Sequence, residues 1–205
     1  SGCSSSNQSA TSTYGESAEV KAAVLGSAEQ FETREDFFIG MDLAISELKE
    51  NGINFSYEKL DDGKSRDSGV AMAKDVANSD KYTLAFTLQN DETVESVADI
   101  FDNAKKPLII VNEVFDSTMN KGYEYVLAGV VSAETAGKAL ANFCETNGIK
   151  WVAASHSSTQ YENMLARGFN DMAMTNKSIY LADSTSGPYR ISEFSGVWDR
   201  WNTLG

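Results

Sequence analysis

An α/β protein, with a parallel sheet and helices on both of its faces, is the fold class this 205-residue chain predicts. Three observations carry that reading. Short apolar runs with strand spacing alternate with helical periods along nearly the whole chain. The links between them are short, as in βαβ units. The rhythm restarts after Asp116, so a second α/β unit is expected to begin there. Right-handed crossovers then carry the helices onto the sheet faces.

The elements follow in order. Val20 to Leu25 is an apolar strand broken by Gly26-Ser27. Thr33 to Asn51 reads as one helix, with Phe37, Phe38, Met41, Ile45 and Leu48 on one face, Thr33 as its cap and Gly52 as its stop. Ile53 to Leu60 alternates as a second strand, and Ser65 to Asn78 is a helix with Ala71, Ala73 and Val76 inward. Tyr82 to Thr87 is a strand, Thr93 to Asn103 a helix, and Pro107 to Val111 a strongly apolar strand. Tyr123 to Ala128 is expected to open the second unit as a strand. Ala133 to Thr146 is a helix, Ile149 to Ser155 a strand, Thr159 to Met174 a helix and Ser178 to Ala182 a strand. The closing stretch GPYRISEFSGVWDRWNTLG fits no single period, though it holds Trp198 and Trp201. The expected division is a flexible tail over 1–18, a first α/β lobe over 19–122 and a partial second lobe over 123–205.

Composition narrows the function classes. A net charge of −13 repels phosphate backbones, so nucleic acid is not an expected partner. No Lys/Arg cluster marks an anion site, and no run of apolar residues is long enough to span a bilayer. The tail SGCSSSNQSATSTYGESA holds too little apolar surface to offset its ordering entropy. Ser1-Gly2-Cys3 resembles the end of a bacterial lipoprotein signal, which implies lipidation of Cys3 and an extracytoplasmic, membrane-tethered location. An exposed free thiol is otherwise a liability. The other cysteine, Cys144, sits in the apolar stretch LANFC and reads as a small buried hydrophobe.

Catalytic signatures are missing. The single histidine, His156, ends a strand without nearby cysteines or clustered carboxylates, so no metal site and no cofactor is expected. No G-x-S-x-G elbow, G-x-G-x-x-G turn or Walker A loop occurs. A Cys144–His156 pair would need an activated thiol, which an apolar helix does not supply. The doublets Asp61-Asp62 and Asp91-Glu92 read as solvated loop charge.

Four stretches together resemble a known family. They are GMDLAISELKENGINFSYEKLDDG, KDVANSDKYTLAFT, NKGYEYVLAGVVSAETAGKALANF and GIKWVAASHSSTQYENMLARGF. Their order and spacing resemble the type I periplasmic solute-binding proteins, in particular the leucine/isoleucine/valine-binding branch. The resemblance implies two α/β lobes that close on a small ligand at their facing strand ends, with an ABC permease or a membrane receptor as partner. It implies a binding protein and not an enzyme. It further implies that the chain departs from the family by stopping early in the second lobe. The loops it marks carry Gln89, Asn90 and Asp91 after the third strand and Asn112, Glu113 and Val114 after the fourth. Tyr161 matches the family's cleft tyrosine, and Glu134 or its neighbour Ala133 falls where an amino-group aspartate is usual. Glu29, Phe31 and His156 are further cleft candidates. Asp91 and Glu113 in a cleft would favour a cationic or polar solute. The alternative to solute capture is a degenerate relative acting as a surface interaction module, with an exposed apolar face near Trp198 and Trp201 and no enclosed pocket.

Overall fold

The strand Glu19–Gly26 (β1) carries Ala22, Ala23, Val24 and Leu25 without any solvent exposure. Burial on both faces is the mark of an interior strand in a parallel sheet. The structure, a computed structural model, describes residues 19–186 and 190–204. β1 pairs with Asn54–Asp61 (β2) on one side and Leu84–Thr87 (β3) on the other, both parallel. Leu108–Ile110 (β4) and Val126–Ala128 (β5) extend the sheet in the order β2-β1-β3-β4-β5. That order reverses direction between β1 and β3, so a crevice forms there beyond the carboxyl ends of the strands.

Helices cover both faces. The helix Ala28–Thr33 (α1) begins with a capping box in which Ser27 and Gln30 each accept from the other's backbone. Glu35–Glu50 (α2) follows after a break at Arg34, and Gly52 at φ 78° stops it as expected. The helix read from 33 to 51 is α2, and α1 before it was not expected; Thr33 ends α1, and Arg34 rather than Thr33 stands at the N-cap of α2. Phe31, Phe37 and Phe38 pack with Val24, Leu88, Tyr57 and Phe86 on this face. On the other face lie Arg66–Ala77 (α3), capped by Ser65, and Asp91–Asn103 (α4). Their Ala73, Val76, Val97 and Phe101 pack with Ala23, Leu25, Ala85, Leu108 and Ile110. Odd and even positions of β1 thus feed two separate cores, as a pleated strand requires.

One boundary differs from expectation. Residues 123–128 were expected to open the second unit, but β5 pairs with β4, Leu108 opposite Val126. Asp102 at the end of α4 accepts the backbone N–H of both Glu124 and Tyr125, which holds the segment against the first sheet. The first sheet therefore continues to Ala128, six residues past the expected division. A short helix, Asp116–Met119 (α5), lies between β4 and β5.

Beyond β5 come Ala133–Thr146 (α6), Trp151–His156 (β6), Gln160–Asn176 (α7), Tyr180–Ser186 (β7) and Ile191–Asn202 (α8). β6 and β7 form a separate parallel pair. α6 and α7 pack backbone to backbone through Gly137 and Gly168. Ala141, Phe169, Ala173 and Ile179 make a small core, against which the half-buried Cys144 packs. The closing stretch, unreadable as a period, forms α8; Trp201 Nε1 donates to Asp183, while Trp198 is 56% exposed. Cys3 and the 1–18 tail lie outside the described residues. No helix among the described residues is long and apolar enough to cross a membrane.

An ion cluster at the edge of the first sheet makes a testable statement. Glu58 on β2 receives Lys81, Lys21 and the Tyr82 hydroxyl, at 2.8, 3.0 and 3.0 Å. These donors hold its carboxyl down at about 2. A carboxylate held below its unfolded value adds stability above that value and loses it as pH falls towards 2. Glu58→Gln is thus expected to remove a small part of the acid-induced loss of stability between about pH 5 and 2, the group being partly exposed. Urea unfolding at pH 7 and pH 3, wild type against variant, measures it; equal pH dependence would refute the assignment.

Candidate functional site

The crevice beyond β1, β2 and β3 holds a polar cavity of about 380 Å³. Its floor is built from buried polar groups. Gln89 is 2% exposed and Asp62 6%. Gln89 Nε2 donates to Asp62 Oδ2 at 2.9 Å, and Thr87 Oγ1 donates to Gln89 Oε1 at 3.1 Å. The side chain of Gln89 thus ties the end of β3 to the end of β2. Gly69 on α3 makes room for it, since a Cβ there would stand 2.5 Å from Gln89 Nε2. Asp62, read from sequence as solvated loop charge, is instead part of this buried floor.

The rim carries charge of both signs. Lys64 and Glu29 form an ion pair across the opening. Lys64 has φ 61°, an uncommon conformation for a residue with a side chain. It is set by an Asx-type bond from its own N–H to Asp62 Oδ1, at 2.9 Å. Arg66 stands on the same turn and donates to Ser96. The described charged lining is Glu29, Asp62, Lys64 and Arg66, two acids and two bases.

A row of side-chain amides closes the β3–β4 side. Gln30 Nε2 and Asn112 Nδ2 both donate to Leu88 O and to Asn90 Oδ1. Arg34 donates in turn to Asn112 Oδ1 at 3.0 Å.

Of the residues expected at the site, Glu29, Gln89 and Asn90 line this cavity, and Asn112 supports it from behind. The others are placed elsewhere. Val114 is 1% exposed and belongs to the first core. Phe31 packs on the α2 face, edge to face with Phe38 at 6.0 Å. Glu134 accepts the N–H of Asp116 and so caps α5 from α6. Glu113 is half-buried in the β4–α5 loop and is not in the cavity lining. Asp91 opens α4, and its side chain lies outside the described residues. Glu113 therefore adds no acid to the described lining of this cavity. Tyr161 is half-buried in the first turn of α7, away from the cavity.

His156 ends β6, with Nδ1 2.8 Å from Ser157 O. It borders a second, mostly apolar cavity of about 330 Å³ beneath α6 and α7 that Cys144, Leu165 and Phe169 also line. Among the described residues no group of three or more His, Cys, Asp or Glu side chains could hold a metal ion. The lining residues missed from sequence include Ser27, Gln30, Asp62, Lys64 and Arg66. The spacing Ser27-x-x-Gln30 was a legible capping box; nothing local marked Asp62 as buried.

No protein-family model matches the chain, and no curated protein matches it in sequence. Solved structures match it in fold. An ABC transporter substrate-binding protein from Desulfitobacterium hafniense, in complex with Leu, superposes with a TM-score of 0.76 at 23% identity, over 92% of this chain and 56% of its own. A branched-chain amino acid ABC transporter periplasmic ligand-binding protein from Burkholderia xenovorans gives 0.75 at 14% identity, over 88% and 50%. A solute-binding protein from Rhodopseudomonas palustris, in complex with 3,4-dihydroxybenzoic acid, gives 0.70 at 16%, over 91% and 52%. The class is therefore the α/β binding-protein fold, with its cavity at the switch point of a parallel sheet. Within that class, the chain has the type I periplasmic-binding-protein fold. It spans about half the length of the structures it matches.

Proposed function

We propose that this protein is an extracytoplasmic solute-binding lipoprotein, tethered through Cys3, that captures a small polar solute for an ABC importer or a sensor. It is a binding protein and not an enzyme. The observation that carries the reading is the polar cavity at the β1/β3 switch point, where a parallel sheet presents loop amides and helix starts to a ligand. Its mixed lining of Glu29, Lys64, Asn90 and the buried Asp62–Gln89 pair suits a solute with several hydrogen-bonding groups. The structural neighbours bound to Leu and to 3,4-dihydroxybenzoic acid support the same reading.

A thermal-shift series with leucine, 4-hydroxybenzoate, putrescine and ribose tests it. A solute at 100 times its Kd adds about 2.7 kcal/mol to the folded state, which raises the midpoint of a protein this size by roughly 5–10 °C. A flat midpoint for every solute at millimolar concentration would sink the proposal. The alternative, a surface interaction module, draws on Leu140, Phe143, Trp151 and Tyr180, all large and exposed. A flat series together with concentration-dependent self-association would favour it.

A further inference from the structure

The chain passes from the first sheet into α6 through a very short link. Gly129 makes the last bond to that sheet, its N–H donating to Ile110 O at 2.8 Å. Val130 still packs on the first core. Ser132 is already buried again, so only Val131, 63% exposed, stands free between them. Ala133 N then donates to Val114 O at 3.0 Å. The foot of α6 is thus pinned beside α5 and makes a pivot rather than a loose joint.

The N-termini of α5 and α6 meet at this pivot, and each receives an acid from the other, the sign that suits a helix start. Glu134 accepts the N–H of Asp116, and Asp116 Oδ1 accepts the hydroxyl of Ser132, the N-cap of α6. The second oxygen of Asp116 reaches further along. Lys138 Nζ lies 3.3 Å from Asp116 Oδ2. Lys138 stands about 9 Å above Ser132 at the rise of an α-helix. One carboxylate therefore holds α6 at two heights, which fixes its direction; the foot alone would leave it free to tilt. The second unit follows α6, because Gly137 and Gly168 bring α6 and α7 into backbone contact. The described lining of the polar cavity runs from Ser27 to Thr93, all in the first unit. The orientation held in this way leaves the cavity uncovered by the second unit.

We propose that Asp116 and Lys138 are positioning residues, a stay that holds the second unit in this open orientation and thereby lowers solute affinity. The inference rests on the solute-binding reading above. A solute that binds the closed arrangement must first part Lys138 from Asp116. Its apparent affinity is scaled down to the fraction of molecules already closed. Neither residue lines the cavity; both act through the direction of α6.

Two variants release the stay and keep the pivot. Lys138→Met removes the upper tie alone. Asp116→Asn leaves an oxygen for the Ser132 hydroxyl and gives up the charge that holds Lys138. Nitroxide labels on Ala44→Cys in α2 and Met174→Cys in α7, both exposed, report the distance between the units by pulsed electron resonance in a Cys3→Ser/Cys144→Ala background. Without solute, the parent protein should give one distance population, and each variant a second one. The double variant should add nothing further, since both changes break the same tie. Lys138→Arg, which keeps the ion pair, should behave as the parent. In titration calorimetry with leucine and 4-hydroxybenzoate, each releasing variant should bind whichever probe the wild type binds about two- to fivefold more tightly, the range a partly exposed ion pair supplies. A merely structural contact would not raise affinity when lost. Identical distance distributions in the parent and both variants overturn the proposal, and so does weaker binding by the variants. If no probe binds the wild type, the solute-binding reading falls, while the distances, which need no solute, still decide whether the stay exists.

Discussion

Replacing Gly168 with alanine is expected to destabilise the α6–α7 pair by about 3 kcal/mol or more, the upper range for a single overpacking substitution. An added Cβ at Gly168 would lie 2.1 Å from the carbonyl oxygen of Glu134. The reciprocal position behaves alike, since a Cβ at Gly137 would lie 2.0 Å from Leu165 O. In both cases the obstacle is backbone, which cannot swing aside as a side-chain tip can. The helices would have to move apart, and that would open the only packed core of the second unit among the described residues, around Ala141, Phe169 and Ala173. Gly137→Ala and Gly168→Ala should therefore be less than additive, because one separation relieves both clashes. Gly196→Ala is the control. That glycine is also helical, yet nothing lies within 4 Å of its Cβ position, so the change should be neutral or mildly stabilising. Thermal unfolding by circular dichroism separates the cases. Equal midpoints for Gly168→Ala and Gly196→Ala would show that the close crossing does not exist in solution.

That crossing also shows what a single sequence conceals. α6 was legible to the residue, because Ser132 is a good cap and the apolar period runs cleanly from Ala133 to Thr146. The glycines within α6 and α7 signalled nothing on their own, since a close approach is a property of two helices together. β5 was misplaced for the same reason. Its residues read correctly as a strand, but which sheet a strand joins is decided by pairing, here Leu108 N to Tyr125 O at 2.9 Å. α1 was hidden because its six residues, Ala28–Thr33, are too few to show a helical period.

The cleft was half legible. The loops after β1 and β3 could be marked in advance because parallel sheets bind at their carboxyl ends. Which side chain turns outward could not. Gln89 and Asn90 are adjacent and chemically alike, yet Gln89 is 2% exposed and binds Asp62, while Asn90 is exposed in the cavity. The alternation of the strand continues past the end of β3 at Thr87 and sends Gln89 down into the floor and Asn90 out. Asp62 shows the same rule, buried beside an exposed Asp61. A doublet of identical acids therefore divides into one structural carboxylate and one solvent-facing one.

The buried floor gives the second large effect. Gln89→Leu is expected to cost about 3 kcal/mol, because a leucine of similar volume fills the space but leaves Asp62 Oδ2 without its buried donor. Removing both partners should be cheaper than the sum of the single changes. In the double variant Asp62→Leu/Gln89→Leu no carboxylate is left buried without its donor, although the buried Thr87 hydroxyl loses Gln89 Oε1 as acceptor, as in the single Gln89 change, and Lys64 loses the Asx bond that sets its φ of 61°. A double-mutant cycle in urea should thus give a coupling above about 1 kcal/mol. The floor also determines the rim. Gln89 precedes Asn90, and its backbone N–H is held by Thr87 Oγ1 at 3.1 Å. A strand end that loses its tie to β2 lets the amide row above it move, so Gln89→Leu should weaken solute binding as well as stability. The opposite pattern, additive stabilities with unchanged binding, would mean that the Asp62–Gln89 bond holds nothing in place and that the cavity shape is set by the helices alone.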